Sequence, residues 1–413
     1  MNRRYLLPGV VLLVLVAGIT IAFLSQPERA EQSGTAAPPM EGGPLVRLAP
    51  RLRGLEDGPD GEISARSYVE AVMDGVLGAP RAPILEALRH PDWGARWAGL
   101  LAVPRYGPAD DDLADALAVL LGGESVRVRR LAATACGFLG PAFPRVEPAL
   151  ERAAHDADEG VRAEALGSLA RHTRRASQIW TLFAASLVDE HGPARAAAAK
   201  GLARIELQEH LAPRYQDEIR AKLVAACADP LPDVRMYAVM ALGRVGARAA
   251  PDVPAMLALL DDKSTLVRGT ASNALGEIGP AALPAIQAAL ATARGERAAS
   301  LLWALKLIGP PALPTIRTLL EHEDATLRVQ AALKLWELEQ PADATVAALI
   351  KALAGQDRDA LRLAARGLAR MGTAGAVARP ALLRLRDHED EVVRGAVRSA
   401  LDRIEPTPPP KDR

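Results

Sequence analysis

The sequence predicts an all-α protein, an α-α superhelix of about ten helix-pair repeats with one transmembrane helix at its amino terminus. Hydrophobic residues make up 49% of the 413 residues and aromatic residues only 3%. Ala and Leu, which supply most of the apolar content, favour helices over strands. A sequence frame of about 33 residues recurs along most of the chain, and an uncharged segment of twenty residues lies near its start.

Residues 5–24 form the predicted transmembrane helix. Twenty uncharged residues at about 1.5 Å per residue are long enough to span a bilayer core. Arg3 and Arg4, in the short basic segment 1–4, provide a positive flank that favours a cytoplasmic amino terminus. The segment is longer than a signal-peptide core and lacks a good cleavage site, so a retained signal anchor is favoured over a cleaved signal peptide. A single-pass protein with its bulk on the extracytoplasmic side, periplasmic if bacterial, is expected.

The segments on either side of the repeats are predicted to be unstructured. Residues 25–62 are rich in Pro and Gly and show little hydrophobic periodicity, which is typical of a flexible linker. Residues 406–413, with the sequence PTPPPKDR, are a predicted disordered tail. Residues 63–405 between them form the predicted solenoid, which begins with an added capping helix over residues 64–77.

The solenoid is predicted from one frame that recurs ten times. LPDVRMYAVMALGRVG and STLVRGTASNALGEIG both fit V-R-x-x-A-x-x-A-L-G-x-[VI]-G, and the Val, here called the anchor, recurs every 30–40 residues. A second apolar segment precedes each anchored one, so each repeat is predicted to be a helix pair with the anchor in its second helix. Gly-Pro pairs end one repeat and begin the next. The anchors are Ala95, Val128, Val161, Ala194, Val234, Val267, Arg297, Leu327, Ala360 and Val393.

The anchor and the positions four, seven, eight and eleven residues later form one apolar arc of the second helix. Small residues dominate there and would let neighbouring helices pack closely, as a stacked solenoid requires. The frame D-x-x-V-R-x-x-A-x-x-A-L-G-x-I-G resembles the short HEAT repeats of phycobilin lyases, within the HEAT-like and armadillo-type solenoids. The resemblance implies a right-handed superhelix whose second helices line the concave face.

Charged residues recur at two positions of the repeat: Arg directly after the anchor and Asp three residues before it. Charges repeated in this way are predicted to form a structural ladder that bridges adjacent turns of the solenoid. The ladder residues are Asp92, Arg96, Arg129, Asp158, Arg162, Arg195, Arg235, Arg268, Asp324, Arg328, Asp390 and Arg394.

An enzymatic function is the first alternative. Deoxyhypusine hydroxylase, a HEAT-like enzyme, holds iron with His-Glu pairs just after the V-R position, where this chain has residues such as Met236 and Tyr237. His322 and His388 instead precede their anchors by five residues and are predicted to be loop or cap residues. Glycine-rich phosphate loops, GxSxG, HExxH and CxxC motifs are absent, and Cys136 and Cys227 are predicted to be buried. No catalytic residue, metal or cofactor is therefore predicted, although a lyase-like or hydroxylase-like HEAT enzyme stays an alternative.

The predicted binding surface is a row at positions two, six and ten after the anchors, which points away from the packed arc. Trp, Met and Arg, the residue types enriched at binding hot spots, recur along it. The predicted function is a membrane-tethered, non-catalytic scaffold that binds a protein or peptide on its concave face. The alternative is that Trp and Met only fill gaps between turns while Arg solvates the rim. The row comprises Trp97, Arg105, Arg130, Lys200, Arg204, Met236, Met240, Arg244, Trp303, Arg362, Arg366 and Arg370.

The charge balance bears on the class of partner. Lys and Arg total 50, and Asp and Glu also total 50, so nucleic-acid binding by the Arg row has no support from net charge, although it is a second alternative. Small-molecule substrates are not expected. A local basic strip, ten residues past the anchors, could instead attract an acidic protein partner; it consists of Arg105, Arg171, Arg204, Arg244, Arg370 and Arg403.

Overall fold

The structure of the chain, a computed structural model, is helical wherever it has regular secondary structure among the residues it describes. The predicted transmembrane segment 5–24 and the tail 406–413 lie outside those residues. Within them, no helix combines the length and apolar character needed to cross a bilayer. The described residues are 41–53, 55, 65–67, 69, 81–106, 108–139, 143–172, 176–204, 213–339 and 343–404.

The chain divides into two compact units, residues 1–172 (unit 1) and 173–413 (unit 2). Unit 1 contains a short helix followed by three helix pairs in the described residues. Its helices are α1 Ala49–Arg53, α2 Arg81–Arg89, α3 Trp93–Ala102, α4 Asp111–Leu120, α5 Val126–Cys136, α6 Glu147–Ala153 and α7 Glu159–His172.

Unit 2 contains seven further helix pairs in the described residues, with short 3-10 turns before several first helices. Its first helices are α8 Ala176–Ser186, α10 Pro213–Ala226, α12 Val253–Ala258, α14 Leu283–Leu290, α16 Leu313–Thr318, α18 Asp343–Leu353 and α20 Arg379–Arg384. Its second helices are α9 Gly192–Arg204, α11 Pro232–Val245, α13 Thr265–Ile278, α15 Gly295–Ile308, α17 Ala325–Glu339, α19 Arg358–Met371 and α21 Glu391–Ile404.

The repeat frame accounts for the core. In α11 the anchor Val234 and the residues four, seven, eight and eleven positions later, Ala238, Ala241, Leu242 and Val245, are all buried. The equivalent five positions of α13 are buried as well. The predicted apolar arc is therefore the face that each second helix buries against its neighbours.

Second helices stack on one another in sequence order within each unit, and they contact each other more extensively than the first helices do. Within each unit, the second helices therefore form the more tightly packed side, which is here called the inner side. Several of these helices end at glycines that follow the frame: Gly246, Gly279 and Gly309 have φ of 68°, 75° and 78°. Only glycine adopts this backbone conformation readily, which is why the repeat ends in glycine.

The prediction of an unstructured linker over residues 25–62 is wrong for residues 45–53. A 3-10 turn, Val46–Leu48, leads into α1, and both pack against α3. Leu45 and Leu52 are fully buried there. They lie seven residues apart, with Leu48 and Ala49 between them at helical spacing, so this stretch carries an apolar stripe. The stripe is short and is flanked by Pro and Gly, which predict a linker when the whole segment is considered. Of the predicted capping helix 64–77, residues 65–67 and 69 are described and are helical.

Candidate functional site

The Arg that follows the anchor connects the second helix to the loop that precedes it. In Arg235, Nη1 donates to the carbonyl oxygens of Asp229 and Pro230, at 2.8 and 3.0 Å. The same pair of carbonyls, six and five residues earlier, accepts hydrogen bonds of 2.6–3.3 Å from Nη1 in seven repeats. The seven residues are Arg129, Arg162, Arg195, Arg235, Arg268, Arg328 and Arg394. In an eighth repeat, Arg96 donates to the equivalent carbonyls of His90 and Pro91 through Nε and Nη2.

Three of these arginines form a ladder between repeats, but with a different Asp from the one predicted, and Arg268 pairs instead with Glu296 of the next repeat at 3.0 Å. Arg235 Nε donates to Asp262 in the next repeat at 2.6 Å. Asp262 lies five residues before its anchor Val267, whereas the sequence frame indicated the Asp at position three. Arg129 pairs with Asp156 and Arg195 with Asp229 in the same register, at 2.7 and 2.6 Å.

The Asp residues three positions before the anchors cap the second helices. In Asp324, a carboxylate oxygen accepts the backbone N–H of Leu327 at 2.9 Å, and Asp158 accepts that of Val161 at 2.9 Å. A carboxylate at this position satisfies a free N–H group and lies at the positive end of the helix dipole. All four predicted ladder residues, Asp92, Asp158, Asp324 and Asp390, are therefore helix caps. Asp390 and Asp92 also form ion pairs with a preceding element, with Arg358 of α19 at 2.7 Å and with Arg53 of α1 at 3.2 Å, so the predicted bridging role is corrected for Asp158 and Asp324.

The histidines five residues before an anchor take over the loop hydrogen bond that Asp residues accept there. Nδ1 of His322 and of His388 accepts the backbone N–H two residues on, at 3.1 and 3.0 Å, as Asp262 Oδ1 does for Ser264. The preceding repeat carries Ala298 or Leu361 directly after its anchor in place of the Arg, so the ladder pair of Arg and Asp is missing at these two junctions. These are the loop and cap roles predicted for the histidines. In the part of the chain that the structure describes, no three His, Cys, Asp or Glu side chains are placed to hold a metal.

A cavity of about 780 Å³ lies in unit 1 beside the second helices α3 and α5. Trp93 and Trp97 of α3 stack with ring centroids 6.1 Å apart, and the Arg127 guanidinium of α5 lies 4.2 Å from the Trp97 ring centroid. Burial lowers the pKa of Arg127. Arg130 of the same helix also lines the cavity and is exposed. The cavity thus combines aromatic surface with cations.

Two predicted row residues of unit 1, Trp97 and Arg130, line this cavity at different depths. Trp97 is only 1% exposed, so its expected position on the open surface is wrong; α5 covers it with the Arg127 side chain. The Trp97 Nε1 atom is buried and has no hydrogen-bond acceptor. Arg105 ends the turn Val103–Arg105, and its side chain lies outside the described part of the chain.

A second aromatic and cationic surface lies in unit 2 around Trp303 of α15. Trp303 is 43% exposed, and its Nε1 donates to Asn273 Oδ1 of α13 at 2.8 Å. The Lys306 and Lys334 ammonium groups lie 5.2 and 5.7 Å from its ring centroid. A groove of about 510 Å³ runs beside Trp303 and Asn273, with Gly269 of α13 also in its wall.

Glu337 forms ion pairs with three cations of this surface. Lys306, Lys334 and Arg370 reach its carboxylate at 2.8, 3.0 and 3.1 Å. Burial by itself would raise the pKa of Glu337, but the three hydrogen bonds outweigh it and lower the pKa to about 2. Sequence analysis missed Asn273, Lys306, Lys334 and Glu337. Asn273 and Glu337 do occupy row positions, six and ten after their anchors, but an amide and a carboxylate are not among the residue types enriched at binding hot spots.

The other row residues of unit 2 are distributed along its second helices. Lys200, Met236, Met240 and Arg362 are half-buried, whereas Arg204, Arg244, Arg366 and Arg370 are exposed. Lys200 lies 5.7 Å from the Tyr237 ring, Arg362 pairs with Asp359, and Arg244 donates to the Ala203 carbonyl.

The predicted basic strip is not continuous in unit 2. The positions ten residues past the anchors also hold Glu277, Leu307 and Glu337, which separate Arg244 from Arg370. Arg370 pairs with Glu337. Because acidic and apolar residues alternate with Arg there, the surface consists of separate cationic patches.

Comparison with known proteins agrees with this architecture. The family model of HEAT repeats matches residues 81–170 and 220–306. No protein of curated function matches the chain significantly in sequence.

Among solved structures, this chain is similar to the karyopherin Kap121p bound to the extreme carboxyl terminus of the protein phosphatase Cdc14p, with a TM-score of 0.60 and 15% identity. The match covers 97% of this chain and 49% of that chain. Yeast importin-beta, Kap95p, has a TM-score of 0.52 and 14% identity over 87% of this chain and 56% of that chain. The chain thus spans about half the length of these karyopherins, and at such identities the likeness shows the fold alone. The chain is an all-helical repeat solenoid that contains HEAT repeats.

Proposed function

We propose that this chain is a membrane-tethered, non-catalytic scaffold that binds an acidic protein or peptide on the second-helix side of its solenoid. The observation that carries the proposal is Trp303, a large aromatic side chain 43% exposed between two lysines on the inner side of unit 2. Trp at the centre of an interface is commonly a hot spot. Lys306 and Lys334, held in place by Glu337, would attract carboxylates of the partner.

The helical solenoid itself supports a binding role. Similar structures include Kap121p bound to Nup53p and Kap121p bound to the carboxyl terminus of Cdc14p, so proteins with this fold present surfaces to other proteins. The close packing of the second helices in unit 2 supports a rigid inner side that carries the aromatic and cationic groups around Trp303. A rigid face loses little conformational entropy on binding.

The membrane tether rests on residues 5–24, the uncharged segment preceded by Arg3 and Arg4. We infer a single-pass topology with a cytoplasmic amino terminus and an extracytoplasmic solenoid, by the positive-inside rule. A reporter enzyme that is active only in the cytoplasm, fused at the carboxyl terminus, should be inactive. An active reporter would contradict this topology.

Site-specific photo-crosslinking in the full-length, membrane-inserted chain tests the binding face. A crosslinking residue in place of Gly269, in the groove wall, should capture a discrete partner, whereas one in place of the exposed Gln287 on α14 should not. Capture from Gln287 alone would move the site to the first-helix side.

The purified partner then allows a quantitative test. Trp303→Ala should weaken its binding at least about tenfold, since hot-spot truncations cost about 2 kcal/mol or more. Val377→Ala, which truncates another exposed apolar residue of unit 2, is the matched control and should leave Kd unchanged. An unaltered Kd for Trp303→Ala would reject this surface as the binding site.

A further inference from the structure

We propose that the cavity of unit 1 is a carboxylate-binding pocket that receives an acidic side chain or the free carboxyl terminus of a peptide. The inference rests on the proposed function, because it takes the ligand to be part of a protein partner. It names a second site, in unit 1, and a specific chemical group that this site recognises.

The first argument is the buried indole N–H of Trp97. Trp97 is 1% exposed and lines the cavity, and its Nε1 has no hydrogen-bond acceptor. A buried donor without an acceptor costs about 1–3 kcal/mol, and such groups are uncommon in folded proteins. An acceptor that enters the cavity and reaches this N–H would recover that free energy. The ligand group is therefore a hydrogen-bond acceptor.

The second argument is the cationic side of the cavity. The Arg130 guanidinium is exposed and forms no ion pair or hydrogen bond within the described part of the chain, while the neighbouring Arg127 lies over the Trp97 and Trp93 rings. Arg53 and Arg66 also line the cavity, against two carboxylates, Asp158 and Glu164.

Both carboxylates in the cavity wall already have partners. Asp158 caps α7, and Glu164 accepts a hydrogen bond from the Thr134 hydroxyl at 2.9 Å. Arg53 in turn pairs with Asp92 at 3.2 Å. Because Asp158 and Glu164 are occupied, the exposed Arg130 guanidinium is the group that favours an anion over a neutral acceptor.

The amino terminus of α5 adds to the positive potential. Ser125 and Val126 at this helix start line the cavity, and the Ser125 side chain makes no capping hydrogen bond. In α3 and α7 the corresponding Asp92 and Asp158 supply the chain's own carboxylate. The helix dipole therefore favours a negative charge beside α5 that no capping side chain among the described residues supplies.

The size and walls of the cavity indicate a peptide group rather than a small ion. A volume of about 780 Å³ falls in the range of sites that enclose drug-sized ligands. Trp93, Trp97 and Leu131 supply apolar and aromatic surface next to the cations. In an acidic side chain or a peptide carboxyl terminus, the carboxylate would contact the cations, and the adjacent aliphatic and backbone atoms would contact the apolar and aromatic surface.

The test measures binding of labelled peptides to the purified full-length chain by fluorescence anisotropy. One probe is a triglutamate peptide with both ends blocked, the second is its triglutamine counterpart, and the third is a trialanine peptide with a free carboxyl terminus. Triglutamate or the free carboxyl terminus should bind at least about tenfold more tightly than triglutamine, because charge-assisted hydrogen bonds contribute about 1.5–3 kcal/mol. Whichever of the two binds identifies the source of the carboxylate.

Two variants locate the binding in the cavity. Arg130→Gln removes an exposed charge, and Trp97→Phe removes the indole N–H while it keeps an aromatic ring; each should weaken carboxylate binding about tenfold. Arg152→Gln, on the exposed part of the first helix α6, is the matched control and should bind as the wild type does. Equal binding of triglutamate and triglutamine without binding of the free carboxyl terminus, or wild-type affinity of Arg130→Gln, would overturn the proposal.

The two proposals fail in distinguishable ways. If crosslinking identifies a partner whose binding depends on Trp303 while neither carboxylate probe binds unit 1, only the carboxylate pocket is rejected. If no partner crosslinks at Gly269 but triglutamate binding requires Arg130, the pocket stands and the scaffold function is rejected.

Discussion

Arg235 binds the carboxylate of Asp262 in the following repeat through two hydrogen bonds, from Nε at 2.6 Å and from Nη2 at 2.8 Å. Their side chains are only 15% and 7% exposed. Asp262 also accepts the N–H of Ser264, and Arg235 also donates to the loop before its own helix. The hydrogen bonds from Arg235 are the largest influence on Asp262 and lower the pKa of its carboxyl. This ion pair therefore connects the loop before Arg235 to the loop that contains Asp262, and it links two successive repeats.

Replacing Asp262 separates its two roles. Asp262→Ala removes both the partner of Arg235 and the acceptor for Ser264, and we expect it to cost about 3 kcal/mol, because a poorly exposed cation is left unpaired. Asp262→His should keep the acceptor, as His322 and His388 do in their loops, and should cost less. Thermal unfolding at pH 7 should therefore rank wild type, His and Ala in decreasing Tm. Equal Tm values for the two variants would show that the acceptor role contributes nothing.

The sequence predicts the core more completely than it predicts the ladder, for a physical reason. Burial of Val234 and its partners follows from periodicity within one helix. The pairing of Arg235 with Asp262 depends on the distance between two stacked repeats. That distance cannot be predicted from the sequence pattern of a single repeat. Asp324 lies three residues before its anchor and Asp262 lies five residues before its anchor. From the sequence, either position could pair with the Arg of the preceding repeat. Only the packing of the repeats shows which Asp caps a helix and which forms the ion pair.

For the candidate sites, too, the sequence predicts the position of a residue along the helix but not its contacts with the next repeat. Trp97 and Trp303 both occupy the row predicted to be open, yet one is buried and the other 43% exposed. Trp97 lies two residues after its anchor and is covered by Arg127 of the following second helix, whereas Trp303 lies six residues after its anchor, beside Asn273 of the preceding second helix. Depth at a row position is set by the side chain of the adjacent repeat, so the pattern within one repeat cannot predict it.

The two cysteines should be unreactive in the folded chain. Cys136 and Cys227 are 0% and 6% exposed, and burial raises the pKa of each thiol to about 12. At pH 8 this leaves about one thiolate in ten thousand, and the thiolate is the reactive form. A thiol-specific chromogenic reagent should find no reactive cysteine in native protein and two after unfolding in guanidinium. Fast labelling of either thiol under native conditions would contradict this burial.

Glu337 should make the stability of unit 2 sensitive to acid. Its pKa in the folded chain, about 2, lies below the ordinary value of 4.5. The stabilisation from ionised Glu337 is therefore complete above about pH 4.5 and is lost as the pH falls towards 2. Glu337→Gln should lower Tm at pH 7 by about 5 °C, since it leaves Lys306, Lys334 and Arg370 without their common carboxylate.

The difference in Tm between wild type and Glu337→Gln should narrow as the pH is lowered from 4.5 to 3. Glu321→Gln is the matched control, because this 80% exposed glutamate reaches a single lysine, Lys351, at 3.5 Å. It should change Tm by less than about 1 °C at any pH. A constant difference between wild type and Glu337→Gln across this pH range would mean that the carboxylate is not held ionised by its three partners.

Two glycines in adjacent second helices should respond in opposite directions to the same substitution. At Gly243 of α11, a Cβ would lie 2.7 Å from the Ala274 Cα and 2.8 Å from its Cβ, so Gly243→Ala forces α11 and α13 apart. At Gly269 of α13, no atom lies within 4 Å of the added Cβ. Gly269→Ala should therefore raise stability by about 0.5–1 kcal/mol through helix propensity and the restricted unfolded chain. Gly243→Ala gains the same propensity but should lose about 1–3 kcal/mol to overpacking, so its Tm should fall. If both variants were stabilised, the second helices would not be in the close contact on which their rigid inner face depends.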